Sequence, residues 1–389
     1  MIAVAAGVVT IAIWLYLLAG RGGFWLLRRE RAQPAPQAVP ERSIAAIVPA
    51  RNEADVVGRA VSSLLAQEQR SRLHVFLVDD DSSDGTAEAA LHAAAAMEAA
   101  ARLTVVRAGP LPAGWTGKVW AQAEGLRAAE SFGADYFLLT DADIAHGPQE
   151  LARLLALAES GGYDLVSLMA RLACNTAAER ALVPAFVFFF FMLYPPAWVA
   201  RRDRKTAAAA GGCMLVRRQA LMRIGGIAAI RGELIDDCAL ARAIKASGSI
   251  WLGPAGETHS LRPYSGWPEI GAMISRSAFT QLRHSVLLLA ATLVAMSLTF
   301  LAPLLLVALG GWPALCGAAA WFAMSLAYWP TLHSYKCSPL WAPLLPLIAV
   351  FYMGATVHSA VRHWQGRGGL WKGRTHSSVL QSTDPQEQR

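Results

Sequence analysis

Charged residues are scarce in this sequence of 389 residues, where they make up 16% of the chain while hydrophobic residues make up 54%. The scarcity is concentrated, because Lys336 is the only Asp, Glu, Lys or Arg between positions 285 and 361. A soluble core does not tolerate so long a run without polar faces, whereas about three spans of roughly 20 residues, each able to cross a bilayer, fit there. The composition therefore favours an integral membrane protein over a purely soluble enzyme.

Cysteine is also rare, and its five positions show no spacing typical of a metal site. We expect these cysteines to be reduced and structural, which fits a domain that faces the cytosol. Basic residues give a net charge of +7, but they form no stripe interleaved with aromatic residues, so nucleic acid is not an expected partner. They flank apolar runs instead, at positions 21–31, 201–205 and 362–374, which indicates contact with anionic lipid headgroups.

The domain organisation follows from these apolar and basic segments. Residues 1–20 are apolar and are followed by basic residues, whereas a cleaved signal peptide carries its positive charge first. This order predicts an uncleaved anchor with a cytoplasmic C-terminal end, then a basic and Pro-rich linker over 21–42. A catalytic domain is predicted over 43–284, a membrane region over 285–362 and a basic tail over 363–389.

Two features of the membrane organisation stay open. Three full crossings after an internal catalytic domain would place the basic tail outside, against the positive-inside tendency. One segment is therefore re-entrant or interfacial, or the tail departs from the rule. A further apolar run covers 181–200, and a crossing there would separate Asp143 from Asp237, so we predict an interfacial element. A buried core helix is the alternative.

Short β-rich runs alternate with helical stretches in the catalytic domain, which predicts an α/β fold with a mostly parallel sheet. Ligands of such sheets bind beyond the carboxyl ends of the strands. Polar clusters follow three of the predicted strands, and we expect them to form one site. These clusters are Pro49-Ala50-Arg51-Asn52-Glu53, Asp79-Asp80-Asp81 and Asp141-Ala142-Asp143.

The Asp-X-Asp arrangement of Asp141 and Asp143 points to a divalent cation that neutralises a leaving diphosphate. We predict Asp143 as the direct ligand, with Asp141 nearer the ribose or a bridging water. A helix N-cap at Asp143 is the alternative. Asp84-Gly85-Thr86 is expected to form a turn and a helix start. His259 and His284 have no ligand partners at suitable spacing and are interpreted as structural.

These motifs resemble the family 2 glycosyltransferases, which have the Rossmann-like GT-A fold. The matching residues are Ile47 to Glu53, Val78 to Thr86, Asp141 to Asp143 and Asp236 to Leu240. Residues 114–122 resemble the ceramide glucosyltransferase branch. The anchor, the Phe-rich run, the three-part membrane region and the Trp371-Lys372-Gly373-Arg374 ending are most similar to the hopene-associated glycosyltransferases of bacteria.

The resemblance implies a membrane-bound, inverting glycosyltransferase in the bacterial inner membrane, with its catalytic domain facing the cytoplasm. It would use Mg²⁺ or Mn²⁺ and move a sugar from a nucleotide-sugar donor, with a UDP-sugar expected, to a lipid hydroxyl such as a hopanoid. Transfer to a polyprenyl phosphate is one alternative. A non-catalytic membrane module that binds nucleotide is the other.

The resemblance also implies roles for particular residues. Asp237 would be the general base, and Asp236 stays open because both members of the acidic pair are Asp. The predicted nucleotide-sugar site consists of Pro49, Ala50, Arg51, Glu53, Asp79, Asp80, Lys118 and Asp141. The predicted metal ligands are Asp143 and Asp141. The acceptor side would include Gly211, Gly212, Cys213, Gln281 and Arg283.

Several of these residues have structural alternatives. Arg51 could pair with Glu53 rather than with phosphate, and Lys118 could be an exposed lysine at a helix start. Arg283 could anchor the chain at the membrane interface. Processive relatives carry a Trp after the corresponding arginine, whereas His284 stands there, which argues against polymer synthesis.

Overall fold

The computed structural model describes residues 1–27, 41–68 and 72–367. Most of the predicted linker and of the basic tail, including Trp371 to Arg374, lies outside the described residues. The strands are β1 (Ser43–Ala50), β2 (Arg72–Asp79), β3 (Leu103–Arg107), β4 (Tyr136–Thr140), β5 (Ile144–Ala145), β6 (Leu165–Arg171), β7 (Cys213–Arg217) and β8 (Ile250–Ser260). They form one sheet in the order β3-β2-β1-β4-β7-β6-β8-β5.

Fourteen α-helices accompany this sheet within the described residues. The first nine are α1 (Ile2–Leu15), α2 (Val57–Leu65), α3 (Thr86–Ala96), α4 (Gly117–Ala128), α5 (Glu150–Gly161), α6 (Ala177–Leu193), α7 (Pro196–Val199), α8 (Arg218–Arg223) and α9 (Asp236–Lys245). The others are α10 (Trp267–Gln281), α11 (Val286–Met296), α12 (Ala302–Val307), α13 (Gly311–Ser334) and α14 (Leu345–Trp364). Single π turns extend α1 and join α11 to α12, and a 3₁₀ turn over Pro339–Leu344 precedes α14.

The predicted mostly parallel α/β sheet is confirmed. β1 pairs in parallel with β2 and β4, and β2 pairs in parallel with β3, whereas β7 runs antiparallel to both of its neighbours. Alternate residues of β1 enter two separate cores, with Ile44 and Val48 on one face and Ala45 and Ile47 on the other. Helices therefore cover both faces, which explains why β1 is apolar throughout rather than alternating.

The apolar helices pack closely against one another. Trp14 of α1 donates to the carbonyl of Thr299 at 2.9 Å. A Cβ added to Gly7 would lie 2.8 Å from Cys316 Cβ, so α1 and α13 approach through small residues. Among the described residues, four segments are long and apolar enough to cross a membrane: Ile2–Gly20, Ala177–Val199, Val286–Val307 and Pro339–Trp364.

The Phe-rich run forms α6, which lies between the sheet domain and the apolar helices. Its Phe188 ring packs 5.3 Å from the ring of Tyr328 in α13, and Phe189 packs 4.8 Å from Tyr352 in α14. Glu179 completes a capping box with Thr176 and fixes the first turn of the helix. The interfacial location of α6 stays a prediction.

Candidate active site

The polar clusters after β1 and β2 meet at one edge of the sheet. Pro49 and Ala50 are buried at the end of β1, and the carbonyl of Ala50 accepts from the Asp80 amide at 2.9 Å. Asp79 ends β2 and accepts from the Ser82 amide at 3.0 Å. The loops after these two strands are thereby joined, as the sequence pattern predicts.

The ion pairs in these loops differ from the Arg51–Glu53 pair that the sequence left open as an alternative. Arg51 donates to the carbonyl of Asp80, and its guanidinium lies 3.7 Å from the Asp80 carboxylate. Glu53 pairs with Arg262 from the loop after β8. Within the described residues, therefore, Arg51 and Glu53 have separate partners, and the proposed Arg51–Glu53 pair is not formed.

The segment after Asp81 has the structural role that was expected of it. Gly85 adopts a φ of +86°, which a residue with a side chain rarely adopts, and α3 begins at Thr86. Asp84 accepts from the Thr86 amide at 3.1 Å and from the Ala54 amide at 2.9 Å. This turn fixes the loop after β1 against the start of α3.

Lys118 lies at the centre of an acidic cluster. Its ammonium group is 2.8 Å from Asp141 Oδ1 and 3.4 Å from Asp236 Oδ2, and only 17% of the side chain is exposed. The alternative of an exposed helix-start lysine is therefore wrong. Burial opposes the charge, but Asp141 and Asp236 raise the pKa of Lys118 above its usual value. The positively charged Lys118 therefore lies between the carboxylates of Asp141 and Asp236.

Asp237 lies in the first turn of α9. Its Oδ2 accepts from the Gly211 amide at 2.9 Å, and its Oδ1 accepts from the Cys238 amide. Burial and the neighbouring Asp236 raise the pKa of Asp237 to about 6, against the lowering effect of Lys118. A carboxylate with this pKa is ionised near neutrality and can still accept a proton, which are the properties of a general base.

Gly211 approaches this cluster so closely that a side chain would disturb it. A Cβ added there would lie 3.2 Å from Lys118 Nζ and 3.3 Å from Asp237 Oδ2. Gly212 accepts from the Thr140 hydroxyl at 2.8 Å, which ties the segment before β7 to the end of β4. Cys213 is fully buried, and its side chain packs into the hydrophobic core rather than into the acidic cluster.

A hydrogen-bond chain supports this segment from the opposite side. Thr140 donates its hydroxyl proton to the Gly212 carbonyl, and its oxygen lies 2.9 Å from His146 Nε2. His146 therefore donates from Nε2 to Thr140, and burial lowers the pKa of His146 to about 4, which favours the neutral imidazole. The chain of hydrogen bonds runs from His146 through Thr140 to the carbonyl of Gly212. The amide of the preceding residue, Gly211, donates to Asp237.

Asp143 is held by a residue that the sequence pattern did not indicate. Its Oδ2 accepts from the Ser260 hydroxyl at 2.8 Å, because β5 pairs with the end of β8. The N-cap alternative for Asp143 is wrong, since α5 begins at Glu150 after Gln149 and has no side-chain cap. Burial and the nearby Asp143 raise the pKa of Asp141, while Lys118 lowers it.

The carboxylates of Asp141 and Asp143 fit a divalent cation by their chemistry. Hard cations such as Mg²⁺ and Mn²⁺ prefer carboxylate oxygen, and the charge of Asp143 acts unfavourably on that of Asp141, which a cation between them would relieve. Within the described part of the chain, no group of three His, Cys, Asp or Glu side chains is arranged to hold a metal. The protein would thus supply the two carboxylates, and donor phosphate oxygens would complete the coordination.

The loop after β8 adds residues that sequence reasoning missed. Arg262 pairs with Glu53 and lies 3.7 Å from Asp55, and the Tyr264 amide donates to Glu179 Oε1 at 2.8 Å. The loop therefore connects the nucleotide-side residues to the first turn of α6. No short motif marks Arg262, because its partner is more than 200 residues away in sequence.

The two predicted acceptor residues at the end of α10 differ in their contacts. Gln281 donates to the hydroxyl of Tyr194, which follows α6 and lies close enough to Asp237 to interact electrostatically. Arg283 is exposed in a left-handed backbone conformation with a φ of +53°. Gln281 thus contacts the residue that follows α6, whereas Arg283 lies at the surface.

Comparisons with known proteins agree with this geometry. A sequence profile described as glycosyl transferase family 2 matches residues 45–225. This match supports a family 2 glycosyltransferase over those residues. They contain the donor-side loops, Lys118, the Asp-X-Asp pair and Gly211, and the enzyme is a glycosyltransferase. No curated protein matches the chain significantly.

Solved structures show the GT-A fold of this glycosyltransferase. The mannosyltransferase PcManGT from Pyrobaculum calidifontis, in complex with GDP-Man and Mn²⁺, has a TM-score of 0.53 and 19% identity, covering 92% of this chain and 98% of that chain. TarS from S. aureus has a TM-score of 0.40 and 14% identity, covering 61% and 40%. Glucosyl-3-phosphoglycerate synthase from Mycobacterium tuberculosis, with Mn²⁺, UDP and its product, has a TM-score of 0.39 and 19% identity, covering 62% and 79%. Of these three structures, PcManGT alone has a TM-score above 0.5 and therefore shares the overall fold.

Proposed function

We propose that this glycosyltransferase acts at a membrane and transfers a sugar, with inversion, from a nucleotide-sugar to a lipid hydroxyl. The observation that carries the proposal is the position of Asp237. Its carboxylate accepts from the Gly211 amide, which lies beside Lys118, and it is close enough to Tyr194, the residue that follows α6, to interact with it electrostatically. In the proposed reaction, the donor would bind on the side of Lys118 and the acceptor on the side of Tyr194.

The donor side would bind a nucleoside diphosphate sugar. Asp79, Asp80 and Arg51 form the polar edge at which the resemblance puts the nucleoside, and Lys118 supplies positive charge for the diphosphate. The resemblance described above favours a UDP-sugar, whereas PcManGT was solved with GDP-Man. We propose a UDP-sugar first and a GDP-sugar second. Asp141 and Asp143 would hold Mg²⁺ or Mn²⁺, which supplies neutralising charge for the departing diphosphate.

A single displacement accounts for the acidic residues. The acceptor oxygen forms a bond to the anomeric carbon while the bond from that carbon to the diphosphate oxygen breaks. The hydroxyl proton passes to Asp237, whose raised pKa suits it to receive a proton near neutral pH. The nucleoside diphosphate keeps the electron pair of the broken bond, and Lys118 stabilises the charge that develops there.

Apolar surroundings of the base favour a lipid as the acceptor. Tyr194 lies at the end of α6 near Asp237, and α6 packs against α13 and α14 through its phenylalanines. A hydroxyl at the polar end of a membrane lipid could reach Asp237 along this helix without leaving the apolar phase. The resemblance to the hopene-associated enzymes makes a hopanoid our first candidate.

The test is sugar transfer to extracted lipids. We would incubate the purified full-length enzyme with radiolabelled UDP- or GDP-sugars, Mn²⁺ or Mg²⁺, and either hopanoid alcohols or polyprenyl phosphates, then identify labelled lipids by mass spectrometry. Transfer to the hydroxyl lipid that is lost in Asp237→Asn and kept in Asp203→Asn is expected, since Asp203 is an exposed partner of Arg201. Full activity of Asp237→Asn would favour the phosphate acceptor, because an ionised phosphate needs no base. Absence of nucleotide release with any lipid would favour a non-catalytic module.

A further inference from the structure

We propose that residues Pro339–Trp364 form a re-entrant membrane element that enters and leaves the bilayer on the side of the catalytic domain. By length and composition this segment could cross a membrane. Its contacts point to a different path. The inference uses the membrane location proposed above, but it does not depend on the acceptor.

The segment begins beside the catalytic sheet. Tyr335, just after α13, stacks against the Arg171 guanidinium at 5.6 Å, and Arg171 is the last residue of β6. Two residues later, Cys337 Sγ lies 3.4 Å from Cys174 Sγ in the segment between β6 and α6. The C-terminal end of α13 therefore lies on the side of the catalytic domain.

From that point the chain turns back along α13. The indole of Trp321 donates to the carbonyl of Pro343 at 2.9 Å. Trp321 lies near the middle of α13, a helix of 24 residues that is about 36 Å long and thus has the length of a membrane crossing, although it is less apolar than the four segments named above. The 3₁₀ turn at Pro339–Leu344 thus rises roughly half the length of α13 before α14 begins.

Helix α14 then returns to the catalytic domain. It runs parallel to α10, with Phe351 against Trp267 at a ring distance of 5.9 Å and Ser359 accepting from the Phe279 amide at 3.0 Å. At its end, the His363 ring stacks on His284 at 4.0 Å. Because His284 lies two residues before the start of α11, the C-terminal end of α14 lies where the first C-terminal apolar helix begins.

One face of this element is apolar and exposed. The exposed residues recur at intervals of three, four or seven positions, which is the spacing of a single helical face. They are Leu340, Leu344, Leu347, Val350, Val357, Val361 and Trp364. The opposite face, with Leu345, Ile348 and Tyr352, is buried against the protein. The helices α11 and α13, which both contact α14, also expose apolar side chains such as Leu287 and Phe322, and we therefore assign the stripe to lipid acyl chains.

This path resolves the conflict in the positive-inside analysis. If α11 with α12 and then α13 make the two C-terminal crossings, a re-entrant α14 returns the chain to the side from which α11 departed. The basic tail then begins on the side of the catalytic domain, as the distribution of Lys and Arg favours. Composition alone suggests another crossing at Pro339–Trp364, whereas the contacts at both of its ends favour none.

Labelling of single positions in sealed vesicles tests the proposal. Cysteine would be introduced as Asp203→Cys in the catalytic domain, Leu309→Cys between α12 and α13, or Gln365→Cys after α14; all three positions are exposed. A membrane-impermeant maleimide should label positions 203 and 365 in vesicles of one orientation and position 309 in the other, read by peptide mass spectrometry. Labelling of 365 together with 309 would overturn the proposal. Labelling of all three in both orientations would instead overturn the membrane location.

A second measurement tests lipid contact. A nitroxide attached at Val357→Cys should collide more often with oxygen, which concentrates in the bilayer, than with a water-soluble nickel complex. The same label at Asp203→Cys should show the reverse preference. Equal access of the nickel complex to position 357, or protection from both reagents by a second protein copy, would overturn the lipid assignment. Retained glycosyl transfer by each variant would show that it is folded.

Discussion

The ammonium group of Lys118 lies 2.8 Å from the carboxylate of Asp141, and this contact joins helix α4 to the end of β4. The same group lies 3.4 Å from Asp236, the residue before the proposed base. One cation therefore connects the donor side of the site with the base side. In a partly buried cluster of carboxylates its removal changes the charge balance on both sides.

Replacement of Lys118 tests this connection. Lys118→Met should lower kcat/KM by about 100-fold or more, because a charge that stabilises the leaving diphosphate is lost. It should also move the acidic limb of the pH profile to higher pH, since Lys118 lowers the pKa of Asp237. Steady-state kinetics across a pH series measures both effects. The matched control is Lys205→Met, at an exposed lysine; a Lys118→Met enzyme as active as this control would contradict the prediction.

The pH dependence of the wild-type enzyme follows from Asp237. Its pKa is raised to about 6 by burial and by Asp236, so the base form is present above that pH and is lost below it. We expect kcat/KM to fall by about tenfold per pH unit below pH 6. The measurement is kcat/KM with saturating metal. A limb near the ordinary aspartate value would argue that Asp237 is not the base.

Asp143 should determine the metal requirement. Asp143→Asn keeps the size of the side chain and the Ser260 contact but removes a charge that the cation needs. Activity should fall by about 100-fold or more and should respond less steeply to added Mn²⁺ or Mg²⁺. Titration of chelator-treated enzyme measures this response. Asp203→Asn is the control, and an unchanged metal titration in Asp143→Asn would exclude Asp143 as a ligand.

Local patterns in the sequence predict much of this site. The strand-to-loop transitions at Pro49, Asp79 and Asp141 are marked by apolar runs that end in polar residues, and the structure brings these positions to one sheet edge. The change from an apolar strand to a polar loop is determined by residues that are close together in the sequence, and a short stretch of sequence therefore predicts it. The α/β fold follows from the same alternation of strands and helices.

Contacts between distant segments could not be predicted in this way. Ser260 reaches Asp143 only because β5 and β8 pair, and Arg262 reaches Glu53 from the loop after that strand. The burial of Lys118 also depends on α9, which brings Asp236 beside it. Each of these features arises from the register between elements, and register has no signature within a short stretch of sequence.

Thr140 offers a test of how the base is positioned. Its hydroxyl links His146 to the Gly212 carbonyl, and the adjacent Gly211 amide donates to Asp237. Thr140→Val keeps the shape of the side chain and removes the link. We expect kcat to fall by about tenfold with KM for the donor little changed, because loss of the two hydrogen bonds of the Thr140 hydroxyl weakens the support of this segment by about 1 to 2 kcal/mol.

The pH profile separates this positioning role from a general loss of structure. A weaker Gly211 contact would raise the pKa of Asp237, since that hydrogen bond lowers it alongside the charge of Lys118. The acidic limb of Thr140→Val should therefore move to higher pH, while Thr140→Ser, which keeps the hydroxyl, should restore both the rate and the limb. A Thr140→Ser enzyme as slow as Thr140→Val would show that packing of the methyl group, rather than the hydrogen-bond chain, supports the site.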